Sequence, residues 1–191
     1  MSRSTRVRLC LAALLATTAA LCVALAENSL QPKIVQLDAF EVIGISARTN
    51  NAKEAGPDGT IPKLWQRAMR EHVLDSIPDK VDPSIYAVYT DYASDANGDY
   101  TLLIGAKVRP SADTLIAKDM VMKTIPAGRY AVFTSERGSV AQVVVETWKQ
   151  IWDYYELPRN GQRAYRADFE LYDGRSADPN NAQVDIYIGV K

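Results

Sequence analysis

Leu103-Ile104-Gly105-Ala106-Lys107 and Tyr187-Ile188-Gly189-Val190-Lys191 are two versions of one short pattern. Trp65 precedes Gly105 by 40 positions, and Trp148 precedes Gly189 by 41. A spacing kept across a helix and a hairpin points to an internal duplication. The segments around the anchors repeat in the same order. Residues 34–49 have strand character, densest at Phe40-Glu41-Val42-Ile43-Gly44-Ile45, and a polar loop with Gly56, Pro57 and Gly59 follows. A helix is predicted from Pro62, with Ile61, Leu64, Trp65, Ala68 and His72 at helical spacing and Pro78 beyond its end. Ser84 to Tyr92 and Tyr100 to Val108 then form a hairpin about Asn97-Gly98. The second pass has strand at 120–134, broken by Pro126-Ala127-Gly128, and a helix from an N-capping Ser139 to about Tyr155. Ala164 to Tyr172 and Gln183 to Val190 close it. The class is α+β, and two similar halves that join their sheets leave a cleft between them, a natural ligand site.

Residues 1–26 carry the three parts of a cleavable export signal. Arg3, Arg6 and Arg8 lead, Leu9 to Leu25 is uncharged, and Ala24-Leu25-Ala26 supplies the small residues for cleavage before Glu27. The expected product is a single domain, 27–191, periplasmic or secreted, with no membrane attachment after cleavage. Retention of the segment as an anchor helix is the rival reading. Both cysteines, Cys10 and Cys22, lie in this segment, so the rest of the chain has no thiol chemistry. Lys and Arg number 22 against 23 Asp and Glu, and the leading segment takes three arginines with it. That balance speaks against a nucleic-acid partner.

Catalytic patterns are sparse. His72 is the single histidine and is expected to pack on its helix; no HExxH, nucleophile elbow or phosphate loop is present. No catalytic residue, metal or cofactor is therefore assigned. The chain is instead rich in aromatics, with ten tyrosines and three tryptophans. In Asp168-Phe169-Glu170-Leu171-Tyr172, alternation puts Asp168, Glu170 and Tyr172 on one strand face and Phe169 and Leu171 on the other. A partly dry carboxylate among rings attracts an organic cation through low dielectric and through ring faces. An ordinary amphipathic strand, with Phe169 inside and Glu170 in water, fits the same pattern. So does a carboxylate pair with one raised pKa doing acid–base work.

The order Phe40-Glu41-Val42-Ile43-Gly44-Ile45-Ser46, Ile61-Pro62-Lys63-Leu64-Trp65, Ile85-Tyr86-Ala87-Val88-Tyr89-Thr90-Asp91-Tyr92 and Asn97-Gly98-Asp99-Tyr100-Thr101-Leu102-Leu103-Ile104-Gly105 resembles the GyrI-like effector-binding superfamily. Ile125-Pro126-Ala127-Gly128-Arg129-Tyr130-Ala131-Val132-Phe133 and Asp168 to Tyr172 continue the likeness, which runs from Ile34 to Lys191. It is strongest to the integron-associated effector-binding proteins, related to the ligand domains of AraC- and MerR-type regulators. The resemblance implies duplicated βαββ units forming a curved antiparallel sheet with two main helices and a central cleft. It implies a small amphipathic or cationic organic ligand, with Glu170 as the buried anion and Trp65, Tyr89, Tyr172 and Tyr187 as aromatic walls. The chain departs from the regulators in its export signal and in having no helix-turn-helix segment. Two alternatives remain: a hydrolase of strained, reactive small molecules on the same fold, and a partner-binding protein with no pocket.

Overall fold

The computed structural model describes residues 31–191; the expected export segment lies outside them. Among the described residues eight strands and three α-helices follow in order: β1 Lys33–Leu37, β2 Phe40–Thr49, α1 Asn51–Glu54, α2 Ile61–Arg70, β3 Ile85–Thr90, β4 Tyr100–Val108, β5 Val121–Ile125, β6 Gly128–Thr134, α3 Val140–Glu156, β7 Arg163–Tyr172 and β8 Asp185–Val190. All strand pairs are antiparallel, in the order β1-β6-β8-β7-β3-β4-β2-β5. The duplication is visible in that order. β3-β4-β2 on one side of the centre mirrors β7-β8-β6 on the other, and β1 and β5 each cap the opposite half. The fold is the α+β arrangement expected, with the first strand of each half exchanged.

The exchange forces curvature. The two-residue link Asp38-Ala39 joins β1, at one edge, to β2, next to the other edge. In a flat sheet those strands would lie roughly 29 Å apart. Leu37 and Phe40 are three Cα steps apart, about 11 Å at most. Pro126-Ala127 imposes the same constraint on β5 and β6. The sheet therefore curls until one face closes on itself. On that face Phe40 meets Tyr86 and Phe169 edge-on at ring separations of 5.8 and 5.7 Å, and Phe169 stacks on Tyr187 at 4.4 Å. Val42, Val88, Leu103, Ile125 and Tyr130 complete this core. The opposite face carries α2 and α3, through Leu64, Ala68, Trp148 and Ile151 packed on Ile43, Ala87, Leu102 and Ile104. Both faces are thus buried, and β3 and β4 are accordingly apolar at most positions, while β7 carries buried acids among its apolar residues.

Several local expectations are corrected. The 34–49 stretch is two strands. The loop after it contains α1, whose N-cap Asn50 accepts from Lys53 N at 2.9 Å. Helix α2 stops at Arg70, because His72 adopts φ 51° and a short 3-10 turn, Val73–Ser76, follows. His72 is 79% exposed and faces Asp75, so it is not a packing residue. The hairpin turns through Asp95-Ala96-Asn97-Gly98, closed by Gly98 N on Asp95 O, within a nine-residue connection. Ser139 is the N-cap of α3 but its hydroxyl makes no capping bond, and Val140 N instead meets Pro179 O at 2.9 Å.

Gly44 and Gly105 pair across β2 and β4. A Cβ on Gly44 would lie 2.1 Å from Ile104 O, and one on Gly105 would lie 2.0 Å from Ile43 O. The obstacle is backbone, which cannot move without breaking the ladder. Gly44→Ala is expected to destabilise the fold by roughly 2–4 kcal/mol in urea unfolding. Gly174→Ala, where the new Cβ would meet nothing within 4 Å, should cost under about 1 kcal/mol.

Candidate functional site

Over the centre of the sheet, between α2 and α3, lies a cavity of about 590 Å³. Its walls are Ile61, Trp65 and Met69 from α2, Val140, Ala141, Val144 and Val145 from α3, and its floor is Tyr89, Glu170 and Tyr172. The buried stripe of α3 is Val143, Thr147, Trp148 and Ile151. Val145 is 52% exposed and Met69 49%, which leaves unpartnered apolar surface at the mouth. The start of α2 is held by Glu54 from α1, whose carboxylate accepts from Thr60 N at 2.9 Å and Ile61 N at 3.0 Å. This caps otherwise orphaned amide groups and fixes Ile61 and Trp65 beside the gap.

Glu170 sits at the centre of the floor, 2% exposed. Its Oε1 accepts from Tyr89 Oη at 2.7 Å and from Trp148 Nε1 at 2.6 Å, and its Oε2 accepts from Tyr172 Oη at 2.6 Å. Burial raises its pKa, and the three donors oppose that shift without cancelling it. Tyr89 and Tyr172 are pushed well above their usual range, first by burial and then by the Glu170 charge, so both stay protonated and act as donors. The rings enclose the carboxylate further: Tyr89 meets Trp148 at 5.1 Å, and Trp65 meets Tyr172 at 5.1 Å.

The neighbouring carboxylates define what Glu170 lacks. Asp168, two residues earlier on the same face, is fully buried and bonds Arg163 Nη2 at 2.6 Å, Tyr92 Oη at 2.7 Å and Gly189 N at 2.8 Å. The Arg163 guanidinium lies over the Tyr165 ring at 4.6 Å and the Trp148 ring at 5.7 Å. Asp185 is bridged by Arg175 at 2.6 Å. Glu170 has donors and rings but, among the described residues, no cation.

Trp65, Tyr89, Glu170 and Tyr172 are brought together as the cavity lining. Tyr187 is not with them. Alternation along β8 turns Ile186 and Ile188 toward the helices and Tyr187 to the other face, against Phe169. Trp148 was not singled out for the site, yet it is one of the three donors to Glu170. Its matched spacing with Trp65 across the duplication was the available signal.

The neutral and charged partners make opposite predictions for isosteric amides. Glu170 is held protonated in the fold at pH values where the unfolded chain has lost that proton. Stability should therefore fall as pH rises above the usual glutamate range, about 4.3. Gln at 170 can accept from Tyr89 and Trp148 and donate to Tyr172. Glu170→Gln should raise the melting temperature of the ligand-free protein near pH 8, with the gain vanishing toward about pH 4. Asp168→Asn strands Arg163 and should cost about 3–5 kcal/mol at neutral pH in denaturant unfolding.

Comparison with known proteins gives a consistent picture. The model of the integron-associated effector binding protein family matches residues 33–190. YobU of Bacillus subtilis (strain 168) is 37% identical over 160 residues, 83% of this chain and 96% of that protein. Transcriptional regulator BrlR of Pseudomonas aeruginosa is 31% identical over 85% of this chain, which spans 56% of BrlR. An integron cassette protein from the mobile metagenome of Vibrio cholerae has the same fold, with TM-score 0.66 and 30% identity over 84% of this chain and 96% of that one. The structure of SAV2435 bound to tetraphenylphosphonium superposes with TM-score 0.69 at 23% identity, over 84% of this chain and 94% of that one.

Proposed function

Because this chain belongs to the integron-associated effector binding protein family and so is a small-molecule effector-binding domain, we propose that its effector is a lipophilic organic cation held over Glu170. One observation carries this reading. Glu170 is fully buried at the floor of an apolar cavity, with three neutral donors and, among the described residues, no positive partner. An uncompensated buried charge is costly, and a ligand that supplies the opposite charge removes that cost on binding. The aromatic walls add cation–π attraction of roughly 0.5–2 kcal/mol. A strongly hydrated small cation would lose too much water to enter, so the cation must be organic and greasy. A cavity near 590 Å³ suits a drug-sized molecule. SAV2435, a protein of this fold, is seen with a cation of that class.

Glu170, Tyr89, Tyr172 and Trp148 form the charged floor in this reading, and Trp65 with Met69 the wall. Binding without turnover is the expected behaviour: the two tyrosines keep their protons and donate them to Glu170 as hydrogen bonds. Export is part of the same proposal and rests on Arg3, Arg6, Arg8, the apolar run and Ala24-Leu25-Ala26. Mass analysis of the protein from an exporting host should give a chain starting at Glu27, and an intact Met1 start would remove this part.

The test is a titration of residues 27–191 with tetraphenylphosphonium and with neutral tetraphenylmethane-type analogues made soluble by equal substituents. Tryptophan fluorescence and thermal shift read the result. A ligand at 100 times its Kd should stabilise the fold by about 2.7 kcal/mol. The cation is expected to bind and the neutral analogue to bind at least about tenfold more weakly. Glu170→Gln should erase that preference, and affinity for the cation should fall in acid as Glu170 protonates. Equal binding of both compounds to both proteins would refute the role of Glu170. Consumption of a strained electrophile, lost in Glu170→Gln, would replace binding by the hydrolase reading.

A further inference from the structure

A second cavity, of about 310 Å³, adjoins the first. The two share Ile61, Tyr89 and Val145 in their linings. Tyr89 is the partition: its ring lines both spaces, and its hydroxyl reaches Glu170. Beyond it the smaller cavity is lined by Tyr92, Tyr100, Trp148 and Trp152, together with residues of α1 and the β3–β4 connection. The rings continue one another, Tyr89 meeting Tyr100 at 5.5 Å and Trp148 meeting Trp152 at 6.2 Å.

The chemistry of the two cavities differs. The larger one contains the unpaired carboxylate. In the smaller one the charged and polar oxygens are engaged within the protein. Glu54 holds the start of α2, Tyr92 bonds Asp168, and Tyr100 bonds Asn51 at 3.1 Å. The Asn51 amide bonds Ala96 O at 2.8 Å, and the Arg163 guanidinium is neutralised by Asp168. What this space offers a guest is mainly ring faces: its carboxylate, Glu54, is set against the amide groups at the positive end of α2, and its guanidinium is paired with Asp168.

We infer that the protein's effectors are elongated, with a cationic head over Glu170 and an uncharged, flat aromatic arm that passes Tyr89 into the smaller cavity. The inference deepens the cation reading and rests on it. It names the ligand class as two-part molecules and gives Tyr92, Tyr100 and Trp152 a role in selecting the arm. The arm is neutral because the charges in the chamber wall are already engaged, Glu54 at the α2 N-terminus and Arg163 with Asp168, and planar because its walls are rings.

The probes are methyltriphenylphosphonium, the same head on a short tether ending in naphthalene, and the same head on an alkyl chain of matched hydrophobicity. Two filling variants come from different segments: Ala96→Trp in the β3–β4 connection and Ala55→Phe after α1. Both side chains line the smaller cavity and not the larger. In the unaltered protein the naphthyl arm should tighten binding about tenfold or more over the methyl compound, and the alkyl arm should gain less. Each filling variant should erase the naphthyl gain while leaving the methyl compound's Kd within about twofold. A naphthyl gain that survives both variants, or no gain while the methyl compound binds normally, overturns the inference and leaves the cation reading standing. Failure of the methyl compound to bind the unaltered protein brings down the cation reading and this inference with it.

Discussion

The carboxylate of Glu170 is the constraint around which the rest of the helix-bearing face is arranged. It is an anion taken out of water, and its three hydrogen bonds come from neutral groups on three elements: Tyr89 on β3, Trp148 on α3 and Tyr172 on β7. Each donor must be placed within about 3 Å of one residue, so the strands and α3 are tied to a single point. Hydrogen bonds to a charge are worth more than those between neutral groups, but they do not supply the missing charge, and burial still raises the pKa. The site is therefore satisfied in geometry and unsatisfied in electrostatics. That combination leaves the carboxylate without an opposite charge among the described residues.

The duplication explains where this point lies. β3 and β7 are the two central strands, one from each half, and Ala87 faces Glu170 across their pairing. The small residue on one side of the pseudo-symmetric centre leaves room above the sheet, and the acid on the other side fills its floor. The equivalent tryptophans of the two helices have diverged in the same way. Trp148 donates to the carboxylate, and Trp65 stands as a wall against Tyr172. A symmetric scaffold thus carries an asymmetric site, because each half supplies a different member of each pair.

Asp168 with Arg163 shows the same chemistry completed. An acid, a tyrosine hydroxyl, two ring faces and a guanidinium assemble two residues away from Glu170 on the same strand face. Completion has costs of its own. Arg163 Nε is buried with no hydrogen-bond partner, and Tyr165, whose ring covers the guanidinium, has φ 51°, beside the register shift between Arg163 and Asp168. For a tyrosine that backbone is strained. The internal pair is permanent and pinned; Glu170 has no such partner among the described residues.

The amino-acid sequence by itself determined the α+β class, the doubled strand–helix–hairpin order and the face shared by Asp168, Glu170 and Tyr172. These follow from local periodicity, breakers and short repeats, which act over a few residues. It also made Glu170, Trp65, Tyr89 and Tyr172 candidates, through motif order. Only the tertiary structure decided that Trp148 joins them and Tyr187 does not, that the apolar stripe of α3 is turned partly to a cavity, and that His72 ends α2 in solvent. It alone exchanged β1 and β5 between the halves. Strand alternation says which residues share a face; it does not say which face is covered by helices and which closes on itself. Here the two-residue links Asp38-Ala39 and Pro126-Ala127 bring distant edges of the sheet together. That closure buries both faces, and it turns one glutamate of an amphipathic-looking strand into an unpaired charge under a ring-lined cavity.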